Sequence, residues 1–358
     1  MSLHKKKNLI FLTLTISPTW NYLKNLTCCA IEKIVVFVES KRCCAVVYVS
    51  DQTDTDVMHN IRTNFRRFYR ICKQFFESET DRSGNFQFYP RRPELSDIQV
   101  VALSCTMEAL GIDSENLLWS KLKTDYASLF PHLICRTRFN RRRRRLQPHI
   151  EAVQSRVAER LDGESEALVV DSIPVPVVKL AREKTYKVFK ASPDTAPAKG
   201  YSAVSRSWFI GYKLHVIIYD NGVVQQSGLT KGNVHDINFL KDVESLPQGK
   251  FLLGDKAYRS MPLQMDLFEK FEVKLKVPFR INQHDYKRHP KKYRRKRQMV
   301  ETFFAQMTDQ FSVKRNYAKS YEGLQARLSS KLSAMALLHW INFQNGRKLS
   351  QIKHALSF

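Results

Sequence analysis

Apolar positions recur at helical spacing through much of the first half of the chain and give way to strand-like runs in the second. Ile61, Phe65, Phe68, Tyr69, Cys72, Phe75 and Phe76 stand on one face with Arg between them, which predicts an amphipathic helix. Ser96 precedes a run through Ile98, Val101, Ala102, Cys105, Met107 and Leu110 that stops at Gly111, the signature of a capped and terminated helix. Ser114 opens another helix that ends near Phe130 and Pro131, and the segment from Arg138 through Leu161 reads as one more. Short helices, a tight Gly-containing turn and a basic final helix predict a helix-turn-helix-like unit; the alternative is an ordinary bundle with a solvated basic face.

Beyond about residue 165 the period changes. Ala167–Val177 reads as a buried strand that stops at Asp171 and passes into a turn punctuated by Pro174 and Pro176. Residues 179–206 read as basic and irregular. Trp208–Tyr219 and Val223–Leu229 read as two strands joined by Asp220-Asn221-Gly222, a strong hairpin signal, with Trp208 and Phe209 as core residues. Asp236, beside His235, has two readings, a member of the carboxylate site or the cap of a helix through Ile237, Leu240 and Val243, and the cap is the preferred one; His215 reads as a partner of neighbouring groups rather than a metal ligand. Lys250–Asp255 is a further strand ending on an aspartate, followed by a helix over Leu263–Phe271 and a strand over Val273–Val277. In the last helix Val300, Phe303, Phe304, Met307 and Phe311 form an apolar stripe with Glu301 beside it. Strand, hairpin, helix, strand, helix, strand, helix is the order of an RNase H-like α/β domain, a mixed sheet flanked by helices. The expected organisation is a helical DNA-binding region at 58–165, the α/β domain at 166–345 and a C-terminal tail at 346–358.

Residues 1–57 stand apart. Lys5–Lys7 followed by Leu9–Ile16 imitates the start of a signal peptide, yet no small-residue cleavage site follows Pro18. Ile34–Val38 has the pattern of a strand. Regular patterning begins just after Met58, so this extension is read as upstream sequence translated ahead of a start near that residue. The seven cysteines include two adjacent pairs and no Cys-x-x-Cys spacing, which fits neither a disulfide framework nor a zinc site and points to a reducing compartment. No apolar run reaches the ~18 residues of a membrane-spanning helix.

Charge sharpens the picture. The net charge is +25, of which residues 171–358 carry +18. Two runs dominate: Arg136–Arg145 holds seven Arg in ten residues, and Arg280–Arg297 holds nine Lys or Arg in eighteen. Both are interleaved with aromatic or apolar residues, as ordered surfaces facing phosphates are. The expected DNA contacts are Arg138, Arg141, Arg142, Arg143, Arg144 and Arg145 in the first run, with Lys256, Lys291, Lys292, Arg294, Arg295 and Arg297 around the second. Asp171 and Asp255 close hydrophobic strands, and Glu301 stands behind the second basic run. Three carboxylates brought to one sheet edge suit Mg²⁺, which prefers oxygen ligands and keeps waters. Two such ions can hold a scissile phosphate, lower the pKa of an attacking water or 3′-hydroxyl and neutralise the leaving oxygen.

Several segments taken together also resemble a known family: Leu110–Asn116, Arg138–Arg143, Val170–Val177, Gly211–His215, Asn233–Asp236, Gly254–Tyr258 and Val300–Phe304. They look like bacterial insertion-sequence transposases of the DDE type, above all the group numbered nine-eighty-two, over about residues 90–345. The resemblance implies that Asp171, Asp255 and Glu301 form a catalytic triad binding two Mg²⁺ ions, with Mn²⁺ as a substitute. It also implies cleavage and joining of double-stranded DNA at terminal inverted repeats, a homodimer or larger assembly on DNA, and a cytoplasmic, nucleoid-associated location in a bacterium. Related families carry a Tyr, an Arg and a Lys around the Glu. Here Arg297 falls in place, Tyr293 is displaced by one residue, and Thr308 replaces the Lys. Two other readings fit the same sequence: a DNA-binding protein with a decayed or repurposed nuclease domain, and a nuclease that hydrolyses without joining.

Overall fold

A computed structural model of the chain describes residues 60–163, 165–279, 286 and 288–356, and the backbone of four N-terminal strands. Its contacts divide it between His59 and Asn60. In the N-terminal unit, β1 (Leu3–Lys6), β2 (Leu9–Thr13), β3 (Ile34–Ser40) and β4 (Cys43–Tyr48) form one sheet in that order. The β2–β3 pair is parallel and the other two are antiparallel. The stretch from Leu14 to Pro18 and the expected start near Met58 lie outside the described residues.

The second unit begins with helices. In α1 (Ile61–Phe75) the Asn60 side chain accepts from Thr63 N–H at 2.9 Å, and the buried face carries Ile61, Phe65, Phe68, Cys72 and Phe75 of the predicted set, while Tyr69 is half-buried and Phe76 caps the end. Ser96 and Gln99 close a reciprocal capping box on α2 (Asp97–Ala109), and Gly111 beyond it takes a φ of 67°. Ser114 caps α3 (Glu115–Thr124), which stops before the expected Phe130. The segment expected as one helix from Arg138 is two, α4 (Arg136–Arg145) and α5 (Gln147–Leu161). Pro148 cannot donate a hydrogen bond to a preceding turn, so it sits in the first turn of α5 and the break falls at Leu146.

The sheet of this unit runs β10–β9–β5–β7, and both β6 and β8 pair with β7. Its strands are β5 (Ala167–Val178), β6 (Ala198–Ser202), β7 (Ser207–Tyr219), β8 (Val224–Lys231), β9 (Phe251–Leu253) and β10 (Lys274–Lys276). This is a mixed sheet: β5, β9 and β10 are parallel, and β7 is antiparallel to its neighbours. The strand expected to stop at Asp171 instead runs on to Val178. It survives Pro174 and Pro176 because β9 pairs only Ala167–Val169, leaving the far edge of β5 without a partner strand that needs a donor.

The stretch expected as irregular contains β6, which shares the outer edge of β7 with β8 end to end. Their junction is glycine-dependent, since a Cβ on Gly200 would lie 2.3 Å from the Gly232 carbonyl oxygen. Gly211 is equally constrained, for a Cβ there would lie 2.1 Å from the Val175 carbonyl oxygen. Close approach of β5 and β7 beside the bulge at Pro176–Val178 therefore requires glycine.

The helices α6 (Ile237–Lys241), α7 (Met261–Phe271) and α8 (Lys291–Asp309) follow β8, β9 and β10 in turn, completing the RNase H-like order. Then α9 (Tyr321–Gln344) packs against α5 and α2, and α10 (Ile352–Leu356) packs on α9. Buried side chains from Ile61 to Leu356 make one hydrophobic cluster, so helices and sheet share a core.

Candidate active site

The register explains how two aspartates distant in sequence meet. β5 and β9 are parallel, with Val169 beside Leu253, so Asp171 and Asp255 both lie two residues further along. Asp171 is only partly exposed. Burial pushes its carboxyl up to about 6; Asp255 and Asp236 push the same way, while the Ser172 N–H and the Arg297 guanidinium oppose them. Ser172 N–H donates to Asp171 Oδ1 at 2.8 Å. Asp255 is exposed and accepts from Lys256 N–H at 2.6 Å. Arg297 lies 3.9 Å from Asp255 and is thus the cation nearest both aspartates on α8.

Glu301 is one turn beyond Arg297 on α8, but its side chain is exposed and it is not among the strongest charges acting on Asp171. Among the described residues no three Asp, Glu, His or Cys side chains gather closely enough to hold a metal ion. The third carboxylate felt by Asp171 is Asp236. Its expected capping role is not what the structure gives: the His235 ring accepts from Ile237 N–H at 3.4 Å, and the Asp236 side chain makes no cap. Instead Asp236 pairs with Lys213 at 2.9 Å, and Lys213 also donates to the Val234 carbonyl at 2.8 Å. Nothing in the spacing of Asp236 marks this, because the partner is set by β7 against β8.

Two enclosed polar groups border the cluster. Tyr258 is buried, its hydroxyl has no hydrogen-bond partner among the described residues, and burial together with Asp236, Asp171 and Asp255 raises its pKa, keeping it neutral. His215 bonds Thr230 through Nε2 at 2.8 Å and stacks on Phe239 with centroids 4.8 Å apart. Burial lowers its pKa to about 4, so the ring is neutral near pH 7; its Nδ1, also buried, has no hydrogen-bond partner among the described residues, so the ring is only half satisfied. Oxygen donors that repel one another are a set a hard divalent cation relieves, and Asp171 and Asp255 fit such an ion.

The basic residues divide. Arg138, Arg141, Arg144 and Arg145 are exposed on α4. Arg143 is 1% exposed and pairs with Glu115 at 2.7 Å, and Arg142 pairs with the fully buried Asp97. Arg143 therefore has no path to a phosphate. On α8, Lys291, Lys292, Arg294 and Arg295 are exposed, and Lys292 also pairs with Glu166 at 3.0 Å. Lys256 is exposed beside Asp255. Part of the second basic run, Arg280–Gln283 among it, lies outside the described residues. Tyr293 packs beside Phe251, and Thr308 bonds back to the Phe304 carbonyl at 2.8 Å. Trp208, expected in the core, is 54% exposed.

The fold is RNase H-like, and it brings Asp171 and Asp255 side by side at the end of a parallel strand pair. Residues 163–320 match the family model described as the transposase DDE domain, and the chain thus carries a DDE-type transposase domain over that stretch. Comparison with curated proteins and with solved structures gave no match. Domains of this family generally use a divalent metal and act on DNA. No helix among the described residues is long and apolar enough to cross a membrane.

Proposed function

We propose that this protein is a DNA transposase that cleaves and joins DNA at the terminal inverted repeats of its own element. The observation carrying the reading is the pairing of Asp171 with Asp255 at the end of a parallel strand pair, flanked by Arg297. Asp171 and Asp255 would hold a divalent cation, Mg²⁺ or Mn²⁺, with Glu301 of α8 as the third carboxylate. When bound, such ions lower the pKa of a nucleophilic hydroxyl or water and offset charge on the leaving oxygen. Arg297 and Lys256 place positive charge where a scissile phosphate meets the aspartates, stabilising negative charge that spreads over its oxygens during displacement. Lys213 holds the Asp236 carboxylate by an ion pair, and Tyr258 stands buried beside the aspartates.

The test is cleavage of DNA carrying the flanks of the gene, with divalent metal or chelator. Asp171→Ala, Asp255→Ala and Glu301→Ala are each expected to lose at least ~10²-fold in rate while still binding DNA. Full activity in either aspartate variant would sink the reading. Asp236 supports a second assignment of the third carboxylate, because it, rather than Glu301, acts on Asp171. Activity that survives Glu301→Ala and is lost in Asp236→Ala would select it.

A further inference from the structure

The β6–β7 hairpin carries a feature the carboxylate site does not use. Tyr201 and Trp208 are directly opposite one another in the β6–β7 register, and their rings meet edge to face with centroids 5.3 Å apart. A cross-strand aromatic pair of this kind normally covers apolar surface. Here both rings stand open, Tyr201 at 50% and Trp208 at 54% exposure, and Val204 at the hairpin tip is fully exposed. Lys199 lies 5.7 Å from the Trp208 ring centroid and is tied to Glu183 at 2.9 Å.

Trp208 also walls a cavity of about 350 Å³ whose other sides include Pro174, Pro176, Leu180, Lys179 and Lys314. Two lysines, three serines and no carboxylate line it among otherwise apolar residues, so its charge is positive. Pro174 is three residues beyond Asp171 on β5, on its other face. Trp208 is eight residues along β7 from Val216, the residue opposite Asp171, so the aromatic pair stands about 27 Å along the sheet from that aspartate. A fixed pair of aromatic faces beside cationic lysines matches a π-faced, anionic ligand: stacking is indifferent to base identity, and the lysines meet the phosphates. A paired base has its faces covered by its neighbours in the duplex, so only an unpaired one can use the platform.

Resting on the transposase reading, we infer that the Tyr201–Trp208 pair and the adjoining cavity bind unpaired nucleotides of a DNA single strand. The site would hold bases freed from the duplex at a distance from the carboxylates, and it would be indifferent to their sequence.

Binding of the full chain to labelled oligo(dT) of about 20 nucleotides, and to a mixed-sequence duplex of equal length, both in chelator, tests this by fluorescence anisotropy. Trp208→Ala and Tyr201→Ala are expected to weaken oligo(dT) binding about 10-fold or more and duplex binding less than about 3-fold, with Trp208→Phe close to wild type. Unchanged oligo(dT) affinity in Trp208→Ala overturns the inference, as does an equal loss on both probes. If the wild type binds duplex and not oligo(dT), this inference falls and the transposase reading stands; if it binds neither, both fall. A DNA-free oligomer in sedimentation that Trp208→Ala disperses, with oligo(dT) binding intact, would assign the face to a second copy of the chain and likewise overturn it.

Discussion

At Asp171 stability and function pull in opposite directions. Its carboxyl has an ordinary value of 3.8 and is pushed to about 6 in the fold, chiefly by burial. The folded chain therefore binds this proton more tightly than the unfolded chain. The ionised form is a liability above about pH 6, and stability is regained as pH falls from about 6 toward 3.8. Asp171→Asn is expected to raise unfolding stability at pH 7.5 by roughly 1–3 kcal/mol, with the gain gone near pH 4. Urea midpoints at both pH values, in chelator, check this, and a variant no more stable at pH 7.5 would refute it. A divalent cation is expected to raise the wild-type midpoint and leave the Asp171→Asn midpoint nearly unchanged, since an ion that binds only the folded state stabilises it. Asp171 and Asp255 were legible in the sequence because each stands at or beside the end of an apolar run. Asp236 was legible only as the less favoured alternative to a helix cap, because its partner Lys213 lies on another element.

Among the elements, what was legible follows from how much of the signal is local. The starts of α2 and α3 are written in Ser96, Gln99 and Ser114, whose side chains meet the helix backbone directly. β6 was illegible, since Ala198–Ser202 has little apolar character and exists through pairing with β7 and the close approach of its glycine. Prolines misled on the length of β5, because their tolerance depends on which edge β9 covers. Helix α4 shows the same division within ten residues. Its basic composition was plain, but inward or outward placement is set by Glu115 and Asp97 on other helices. Exchanging the exposed Arg138, Arg141, Arg144 and Arg145 for Gln is expected to reduce the slope of log affinity against log salt by up to ~0.9 for each phosphate no longer neutralised, with the fold intact. Arg143→Gln is expected to lower stability instead, leaving Glu115 short of a buried partner. A salt slope unchanged in the fourfold variant would return the exposed face of α4 to mere solvation.

For the molecule as a whole, the decisive feature is a buried ion network between α2 and α9. Glu108 is 1% exposed and accepts from Arg327 Nε at 3.1 Å and from Lys331 Nζ, which also donates to the Phe311 carbonyl at 2.5 Å. Arg327 in turn bonds the Asp113 carbonyl at 2.7 Å. Burial alone would raise the Glu108 carboxyl, yet Lys331 and Arg327 outweigh it and hold the group below its usual range. These contacts tie α2 to α9, the long helix that follows residues 163–320, inside the shared core. Removing one member strands the others without water. Glu108→Ala is therefore expected to cost about 3–5 kcal/mol, whereas Glu108→Leu combined with Lys331→Met and Arg327→Met recovers much of that loss. If helices and sheet act as one body, helical and near-ultraviolet signals will lose structure in a single coincident transition in urea, and Glu108→Ala will shift both equally. Two separated transitions, with only the helical one moved by Glu108→Ala, would show that the network stabilises the helices alone and that the carboxylate site folds without them.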